Sequence, residues 1–483
     1  MSSKDSQTLA VKRAQVEFHN FASLGEPERA IGMYEQENVR RKALIDKHRS
    51  FMGRLSPFLE IGASAGHTSY MLCNEFAADG FALDLSADAL RHGIVLQERW
   101  GLARAPVRVA GDALNLPFRD GSLRMVMAFQ MLSQFLDIES VFLEVRRVLA
   151  PGGIFFLSEE PLKRMLSLRL YRSPYYETMK PWERKLFDWG LLGFLVRDVI
   201  GADQEESFGI RQNHTMGLKD WQRLIERHFG AQEYEIFVPR RGWAEPFMAK
   251  AARAFDKHHS DWVPARLLGG TISAFCRKRG QETETTGIPI SEFERYFRCP
   301  DCKGGLRRDA LDTLRCGACG YEAPLEGGVY NLLPSAEKKE LYPGDREDLI
   351  DFCQANHERF LLDGWYGVEG VFGNKFRWIG PRATARLRRV RPGPQRLRVR
   401  GFAPEQFLNQ ADPPRIEMAV NGQSLGVFPL SRNGLFLFEA PVPSADEFIL
   451  ELKAAPVWRH GDDRRDLTVN ISSVRLVEDS PCI

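Results

Sequence analysis

The chain lacks any apolar run long enough to cross a membrane. A spanning helix needs about 20 mostly apolar residues, whereas the two most apolar stretches, 125–136 and 190–200, are shorter and contain Gln130 and Arg197. The first residues also lack the apolar core of a signal peptide. We therefore expect no membrane span, and we predict a soluble, cytoplasmic protein.

The chain also carries little net charge. Its 66 lysines and arginines nearly balance 64 acidic residues, which leaves a formal charge of +2. This small net charge argues against a protein that coats nucleic acid with a basic surface, although it does not exclude a local basic patch. The hydrophobic share of 43% is too high for a disordered chain. At roughly 150 residues per domain, the 483 residues predict about three domains.

Strand-like and helix-like segments alternate in the first third of the chain. Short apolar runs predict five buried strands, at residues 58–62, 80–85, 107–113, 124–130 and 153–159. Longer amphipathic segments predict helices at 67–76, 87–100 and 138–149. This alternation implies right-handed crossovers and a mostly parallel sheet. Two later runs, 234–238 and 272–277, are predicted to return to the same sheet.

Shifts in composition divide the chain into six predicted segments. They are a helical segment (1–50), an α/β domain (51–280), a linker (281–297), a cysteine module (298–335), a helical connector (336–380) and an all-β sandwich (381–483). In the last segment, Asn421-Gly422 lies between two apolar runs. This pair predicts a hairpin, because it suits the two positive-φ positions of a type I′ turn.

The segment from Leu59 to His67 is the most informative one. A predicted strand runs into a loop of small residues that opens a helix. Gly62 and Gly66 allow a ligand to approach the backbone, and the helix N-terminus offers free N–H groups. The spacing is not the G-x-G-x-x-G of dinucleotide-binding proteins. Instead an acid, Glu60, leads the loop in the pattern E-x-G-x-S-x-G.

Two further acids follow the next two predicted strands. Asp84 lies 22 residues after Gly62 and ends the second strand, where a carboxylate can accept from ribose hydroxyls. Asp112 follows the third strand, where it can accept from an exocyclic adenine amine. Each acid alone could simply cap a turn. All three acids, however, occur in order at strand C-termini, which is where open parallel sheets bind ligands.

Four segments together resemble the class I S-adenosylmethionine-dependent methyltransferases. They are LEIGASAGHTS, FALDLS, GDALNLPF and LEVRRVLAPGGIFFLSEEP, and they cover roughly residues 50–160. The resemblance implies methyl transfer with S-adenosylmethionine as the cofactor. It also implies a set of cofactor-binding residues, which are Glu60, Gly62, Ala63, Ser64 and Gly66 at the methionine part, Asp84 and Leu85 at the ribose, Asp112 and Ala113 at the adenine, and Phe129 and Gln130 beside the methyl donor.

The segment after the fourth strand narrows the range of chemical groups that could accept the methyl group. Enzymes that methylate planar exocyclic amines or amides typically carry N/D-P-P-Y/F there, whereas this chain has Phe129-Gln130-Met131-Leu132. A hydroxyl or a simple amine is therefore favoured as the acceptor, and a hydroxyl needs a base.

Three residues are candidates for this base. His214 lies in the segment that often covers the acceptor in this fold, although a loop histidine at the surface is the alternative interpretation. Glu159 and Glu160 end the fifth strand and face the same edge of the sheet, although either could instead cap a helix. His67 is interpreted as a first-turn residue of the cofactor helix rather than as a base.

Half of the eight cysteines form one cluster. Cys299, Cys302, Cys316 and Cys319 have the spacing C-x2-C-x13-C-x2-C, which predicts a structural, tetrahedral zinc site. Disulfides are the less favoured alternative in a cytosolic chain. The surrounding sequence resembles the short zinc ribbon of tRNA-methyltransferase activator proteins, which also occurs ahead of the catalytic domain in some rRNA guanine methyltransferases. A folding staple, a protein docking site and a substrate-recognition element all stay open as roles.

Residues 377–400 hold nine arginines and no acid. One interpretation is a track for RNA phosphates. The favoured alternative is that arginines alternating with Leu and Val form the solvent-facing side of strands. The flanking segments resemble β-sandwich modules attached to bacterial polysaccharide-associated glycosyl- and methyltransferases, which implies a glycan or glycolipid acceptor.

These features predict an α/β fold with a Rossmann-like, mostly parallel sheet, followed by a small zinc ribbon and an all-β C-terminal sandwich. The predicted function is O-methylation of a saccharide-containing or related small-molecule acceptor. The alternatives are an RNA methyltransferase that uses the ribbon and the arginines, and a non-catalytic scaffold with a degenerate cofactor domain. A protein partner bound through the ribbon or the sandwich also stays open.

Overall fold

The computed structural model describes residues 12, 27–135, 137–163, 216–237, 270–281, 288–342, 347–352, 357–370, 375–390, 392–430, 434–459, 461 and 463–478. Contacts divide the chain into two units. The first unit is Met1–Phe18 with Ile31–Lys338, and the second is His19–Ala30 with Lys339–Ile483. Among the described residues, no helix is long and apolar enough to span a membrane.

Helices and strands alternate through most of the first unit. Up to residue 341 the helices are α1 (Pro27–Lys47), α2 (Arg49–Met52), α3 (His67–Glu75), α4 (Ala87–Arg99), α5 (Ile138–Val148), α6 (Leu218–His228) and α7 (Ser335–Leu341). The first seven strands are β1 (Phe58–Ile61), β2 (Gly80–Asp84), β3 (Val107–Ala110), β4 (Leu123–Phe129), β5 (Leu149–Leu162), β6 (Ala231–Phe237) and β7 (Gly270–Arg277). Five shorter strands follow: β8 (Leu306–Arg308), β9 (Leu314–Cys316), β10 (Glu322–Ala323), β11 (Leu325–Glu326) and β12 (Val329–Asn331).

One sheet of nine strands organises the first unit, in the order β11-β12-β3-β2-β1-β4-β5-β7-β6. The strands from β12 to β5 in this order pair in parallel, and β7 and β6 continue the sheet in antiparallel fashion. β1, β2 and β4 are buried along their whole length, as expected for strands covered on both faces. The predicted Rossmann-like α/β fold and its two returning strands are confirmed.

The cysteine module is joined to this sheet. After the small sheet β10-β9-β8, the chain enters the large sheet, where β12 lies parallel to β3. Phe297, just before the first clustered cysteine, packs edge-on against Phe81 and Phe118, with ring centroids 5.4 and 5.1 Å apart. Cys299 and Cys316 belong to the same buried core as the parallel strands. The module is therefore continuous with the α/β fold, which the sequence pattern did not predict.

The second unit is built from antiparallel strands. They are β13 (Leu349–Asp351), β14 (Leu361–Glu369), β15 (Phe376–Arg388), β16 (Gln395–Ala403), β17 (Arg415–Val420), β18 (Gln423–Pro429), β19 (Gly434–Pro441), β20 (Glu447–Ala455) and β21 (Asn470–Glu478). Seven follow the order β18-β17-β20-β15-β21-β16-β19, while β13 pairs with β21 and β14 with β15. The two edges approach one another, since the rings of Phe428 and Phe438 lie 4.7 Å apart. The sheet is thus nearly closed, and the predicted all-β region is confirmed.

Two local predictions in this unit have different outcomes. The hairpin at Asn421-Gly422 is present, with φ angles of 51° and 79°. The predicted helical connector over 336–380 differs from the structure, in which the described residues after α7 contain β13, β14, the start of β15 and a short 3-10 turn. The aromatic and β-branched residues of β14 suit a half-buried strand, because their side chains pack well on a pleated surface.

Several arginines of the basic stretch lie on the outer side of strands, whereas Arg377 and Arg400 are buried. Along β15, Arg386 and Arg388 are exposed, whereas Leu387 between them is buried. Both arginines form ion pairs with Glu447 on the neighbouring strand β20, at 3.2 and 3.3 Å. The predicted alternation is confirmed at Arg386 and Arg388 but does not hold at Arg377 and Arg400, and an acid from the adjacent strand partly neutralises the exposed pair.

Candidate functional site

The loop between β1 and α3 forms a tight turn at the carboxyl end of the sheet. Gly62, Ser64 and Gly66 have φ angles of 67°, 50° and 74°, a region that L residues other than glycine seldom adopt. A Cβ on Gly62 would lie 3.0 Å from Met131, so the loop packs against the segment after β4. The helix α3 begins after Gly66 without a side-chain cap, so the chain presents free N–H groups here.

Glu60 is buried inside the fold. Its Oε2 accepts hydrogen bonds from the backbone N–H and the hydroxyl of Ser69, at 2.9 and 2.6 Å. Burial raises the pKa of this carboxyl group, because a charge is costly in the interior. Glu60 therefore ties β1 to the first turn of α3, and the loop that follows takes its position from this bond.

Asp84 joins the ends of the first two strands. Its Oδ2 accepts from the N–H of Ser64 at 2.7 Å, and its Oδ1 accepts from the N–H of Ser86 at 2.9 Å. Each carboxylate oxygen can accept a further hydrogen bond. Ala63 is buried in the adjacent loop, and Leu85 follows Asp84 at the strand end. The structure thus brings together the loop and the second acid, as the sequence predicted for neighbouring parallel strands.

Asp112 lies at the end of the third strand. Its Oδ1 accepts from the N–H of Leu114 at 2.9 Å and caps a short 3-10 turn that begins at the buried Ala113. Its Oδ2 lies 2.8 Å from the Nζ of Lys12, which also contacts Glu337. The third acid is therefore partly satisfied by the backbone and partly by a lysine that the sequence analysis did not single out.

The helix α1 supplies further side chains at this edge of the sheet. The ring of Tyr34 stacks on His67 with centroids 4.3 Å apart, and Asn38 donates to the carbonyl of His67 at 3.1 Å. Burial raises the pKa of the Tyr34 hydroxyl, which also forms a hydrogen bond with Ser64. Sequence reasoning missed these residues. The available signal was the spacing of Tyr34, Asn38 and Arg41, which places them on one helix face.

Arg41 is the centre of a buried polar network. Its guanidinium donates to Thr68 Oγ1 at 2.7 Å and to Glu159 Oε2 at 2.9 Å, and it lies 2.7 Å from His67 Nε2. It also lies over the ring of Phe129, at 4.2 Å from the centroid. These contacts connect α1 to α3 and to the ends of β4 and β5.

The adjacent acids Glu159 and Glu160 have different surroundings. The side chain of Glu159 is 14% exposed, and its Oε2 accepts from Gln130 Nε2 at 2.9 Å and from Arg41. Gln130 and Glu159 both have positive φ angles, 53° and 63°, and such strain concentrates at functional sites. Phe129, Gln130 and Glu159 thus lie together at the sheet edge near the loop between β1 and α3.

Glu160 is fully buried and points to the loop after β4. Its Oε1 accepts from the N–H groups of Met131 and Leu132 at 3.0 and 2.9 Å, and its Oε2 accepts from that of Ser133 at 3.0 Å. Burial raises its pKa to about 7. These are the contacts of a loop anchor, and the catalytic role of Glu160 stays a prediction. His214, the third candidate base, lies outside the described residues.

The four clustered cysteines converge. Their sulfur atoms all lie within 4.8 Å of one another, with Cys299 and Cys319 at 3.6 Å and Cys302 and Cys316 at 3.4 Å. These distances far exceed a disulfide bond of about 2.05 Å. A Cβ on Gly304 would lie 3.3 Å from Cys302 Sγ, so a glycine lets the chain pass close to the sulfurs. Four thiols in this arrangement fit a tetrahedral zinc ion.

The fold and the strand-end residues together define a class of protein. A small-residue loop after the first strand, with an acid after the second and another after the third, is the arrangement of a Rossmann-like domain that binds a nucleoside-containing cofactor. Combined with the E-x-G-x-S-x-G loop, it indicates an S-adenosylmethionine-dependent methyltransferase domain.

A family model and two similar enzymes agree with this class. Residues 59–157 match the family model described as "Methyltransferase domain". The norajmaline N-methyltransferase of Rauvolfia serpentina is 27% identical over 128 residues, which are 26% of this chain and 41% of that protein. The tocopherol O-methyltransferase of Arabidopsis thaliana chloroplasts is 25% identical over 164 residues, which are 34% of this chain and 44% of that protein. The crystal structure of MccD protein is 15% identical with a TM-score of 0.32, over 49% of this chain and 96% of that chain.

The match supports a methyltransferase domain over residues 59–157, and that family implies dependence on S-adenosylmethionine. The chain spans less than half the length of the two enzymes compared above. Their names specify nitrogen in one case and oxygen in the other, so the resemblance leaves the acceptor atom open. The matched region ends before the cysteine cluster and includes no residue of the second unit.

Proposed function

We propose that the chain is an S-adenosylmethionine-dependent methyltransferase that O-methylates a saccharide-containing or related small-molecule acceptor. The observation that carries this proposal is the hydrogen bond from Ser64 N–H to Asp84, which brings the small-residue loop and the second strand-end acid to one place. Asp84 would hold the ribose, and Asp112 with Ala113 would hold the adenine. The methionine part would lie along Gly62, Ala63, Ser64 and Gly66. Glu60 would hold that loop in position from the buried side.

The side chains near the proposed methyl donor support a polar acceptor. When bound, S-adenosylmethionine supplies a methyl group on its sulfonium sulfur. Phe129 and Gln130 would border that group, and Glu159 is the partly exposed carboxylate beside them. For a hydroxyl acceptor, Glu159 would take the proton as the oxygen attacks the methyl carbon. Arg41 and Gln130 both donate to Oε2 and hold the carboxylate at the sheet edge, while Oε1 lies 3.5 Å from the exposed guanidinium of Arg40.

The basic stretch favours this function over an RNA methyltransferase. A phosphate track needs arginines that can exchange counterions for phosphates. Arg386 and Arg388 are instead paired with Glu447, and Arg398 with Glu439 on β19. A row of ion-paired arginines on the outer side of strands is a poor phosphate track, and a glycan acceptor needs no such row.

We further propose that Cys299, Cys302, Cys316 and Cys319 hold a structural zinc ion. All four ligand positions would be cysteine thiolates, which closes the site to water and to substrate. The proposed zinc ribbon therefore has a structural role, and the protein is proposed to act in the cytoplasm, where thiols stay reduced.

The first experiment measures binding of S-adenosylhomocysteine to the full chain by calorimetry. Asp84→Ala should weaken binding by at least about a hundredfold, because a carboxylate that accepts two ribose hydroxyls is lost. A matched control is Asp79→Ala, which removes a half-exposed acid just before β2. If the wild-type chain does not bind this ligand, or if both variants bind it equally well, the cofactor assignment is wrong.

The second experiment identifies the acceptor class. Labelled methyl donor, incubated with the chain and a fractionated extract, should transfer label to the glycan or small-molecule fraction. Glu159→Gln should lower the rate of transfer by about a hundredfold while the affinity for S-adenosylhomocysteine changes little. Label in RNA, lost on ribonuclease treatment, would establish the RNA methyltransferase instead. Label in neither fraction, with cofactor binding intact, would favour the scaffold.

A further inference from the structure

The first clustered cysteine pair contacts the segment proposed to bind adenine. Lys303 directly follows Cys302, and its Nζ donates to the side-chain oxygen of Asn115 at 2.6 Å. Asn115 ends the 3-10 turn that Asp112 caps. The same Nζ donates to the carbonyl of Pro300, between the first two cysteines, at 2.8 Å. A lysine of the cysteine module therefore connects that module to the turn after Asp112.

A second connection passes through α7. Both carboxylate oxygens of Asp301 accept from Ser335, one from its N–H at 3.0 Å and one from its hydroxyl at 2.6 Å. Two residues later, Glu337 lies 2.8 Å from the ammonium of Lys12, whose second partner is Asp112. Two separate chains of contacts thus connect the first cysteine pair with Asp112.

The backbone provides a third connection. β12 pairs with the last residues of β3, with Asn331 opposite Ala110, and the N–H of Leu332 donates to the carbonyl of Ala110 at 2.8 Å. Ala110 lies two residues before Asp112. The hydroxyl of Tyr321, two residues after Cys319, donates to the carbonyls of Asn331 and Leu333 at 3.0 and 2.8 Å. Both cysteine pairs are therefore attached to the strand edge that ends at Asp112.

We infer that the metal-bound cysteine module positions the adenine end of the cofactor site, with Lys303 as a positioning residue for Asp112. This inference rests on the proposed binding of S-adenosylmethionine. Cys302 and Cys319 are exposed, so packing alone fixes only one cysteine of each pair. A metal ion would fix all four, because metal binding supplies the folding free energy of such small sites. Losing the metal would release the first pair, and with it Lys303 and Asp301.

The experiment compares two ligands whose adenine ends differ. S-adenosylhomocysteine has the exocyclic amine that Asp112 would accept from, and S-inosylhomocysteine has a carbonyl oxygen in its place. The affinity of each is measured by calorimetry for the full chain, first zinc-loaded and then after chelation with the metal content determined. We expect zinc-loaded protein to prefer the amine-bearing ligand by about a hundredfold, and depletion to lower that preference about tenfold.

A variant tests the same inference with the metal in place. Lys303→Met removes the ammonium that holds Asn115 and should lower the preference for S-adenosylhomocysteine about threefold, with unchanged zinc content. The matched control is Arg307→Met, which removes an exposed charge from β8 of the same module and should leave the preference unchanged. A merely structural role of Lys303 would weaken both ligands equally and leave their ratio intact.

The outcomes separate this inference from the proposed function. If zinc-loaded wild-type protein binds neither ligand, the proposed function is wrong and the inference with it. If it prefers S-adenosylhomocysteine and Asp112→Asn abolishes that preference, the adenine assignment stands. The inference is then overturned if depletion and Lys303→Met both leave the ratio unchanged, and it is supported if both lower it while the control does not.

Discussion

The polar network around Arg41 and the outer side of β15 at Arg386 and Arg388 use arginine in opposite ways. In the first unit, Arg41 is buried between three elements, with only 4% of its side chain exposed and both Thr68 and Glu159 as acceptors. In the second unit, Arg386 and Arg388 are about half exposed and share one glutamate on the neighbouring strand. A buried arginine defines the geometry of a site, whereas exposed arginines keep one side of a sheet in water. The density of arginine in the sequence therefore indicates the site less well than its burial does.

The largest expected effect comes from removing the buried guanidinium. Arg41→Met should lower the free energy of unfolding by about 4 kcal/mol, because it leaves the buried neighbours of Arg41 without their charged partner. Chemical denaturation of the full chain measures this effect. The double variant Arg41→Met, Glu159→Gln should recover part of the loss, because it also removes the carboxylate that has lost its closest cationic partner. A loss below about 1 kcal/mol would place Arg41 with the surface arginines.

An intermediate effect should come from Glu160, another buried carboxyl group at this edge of the sheet. Its folded-state pKa of about 7 exceeds its unfolded value of 4.5, so the folded chain keeps a proton that the unfolded chain has lost. Its contribution to stability is complete below about pH 4.5 and decreases as the pH rises to 7, by about 3 kcal/mol in all. Denaturation midpoints across this window should show the decrease, and Glu160→Gln should remove it. An unchanged pH profile in that variant would contradict this assignment.

The smallest effect is expected in the second unit. Changing both Arg386 and Arg388 to Met should lower the free energy of unfolding by less than about 1 kcal/mol, because exposed ion pairs contribute little. The double variant should also bind single-stranded RNA at low salt no more weakly than the wild-type chain. If the wild-type chain binds RNA with a steep dependence on salt, and the double variant binds it much more weakly, these arginines form a phosphate track. The contrast between them and the buried Arg41 would then be wrong.

The sequence predicted what local patterns encode. The order of the strands β1 to β5 follows from short buried runs, and the loop from Gly62 to Gly66 follows from small residues between a strand and a helix. The convergence of the four cysteines follows from two closely spaced pairs. The proximity of Asp84 to the loop was predictable because neighbouring parallel strands end at one edge of the sheet.

The sequence did not predict contacts between distant segments. Nothing in the local pattern around Tyr34 or Arg41 indicates that α1 packs on α3, since the same polar face would also suit a solvent-exposed helix. The pairing of β12 with β3 joins three residues to a strand that lies more than two hundred positions earlier. Only burial and hydrogen bonding in the folded chain select such partners. Glu159 and Glu160 also looked equivalent, until the positive φ of Glu159 turned their side chains to different neighbours.

The entry of β12 into the large sheet has a consequence for synthesis of the chain. Until Val329–Asn331 leave the ribosome, β3 presents an open row of N–H and C=O groups, and such unprotected edges pair readily with other chains. A fragment that ends at residue 281, before the cysteine module, would keep that edge open while β7 and β6 still cover the other side of the sheet. We expect such a fragment to aggregate, whereas one that continues through α7 should stay monomeric in size-exclusion chromatography. The cysteine module thus also acts as a cover for the sheet from which it is so distant in sequence.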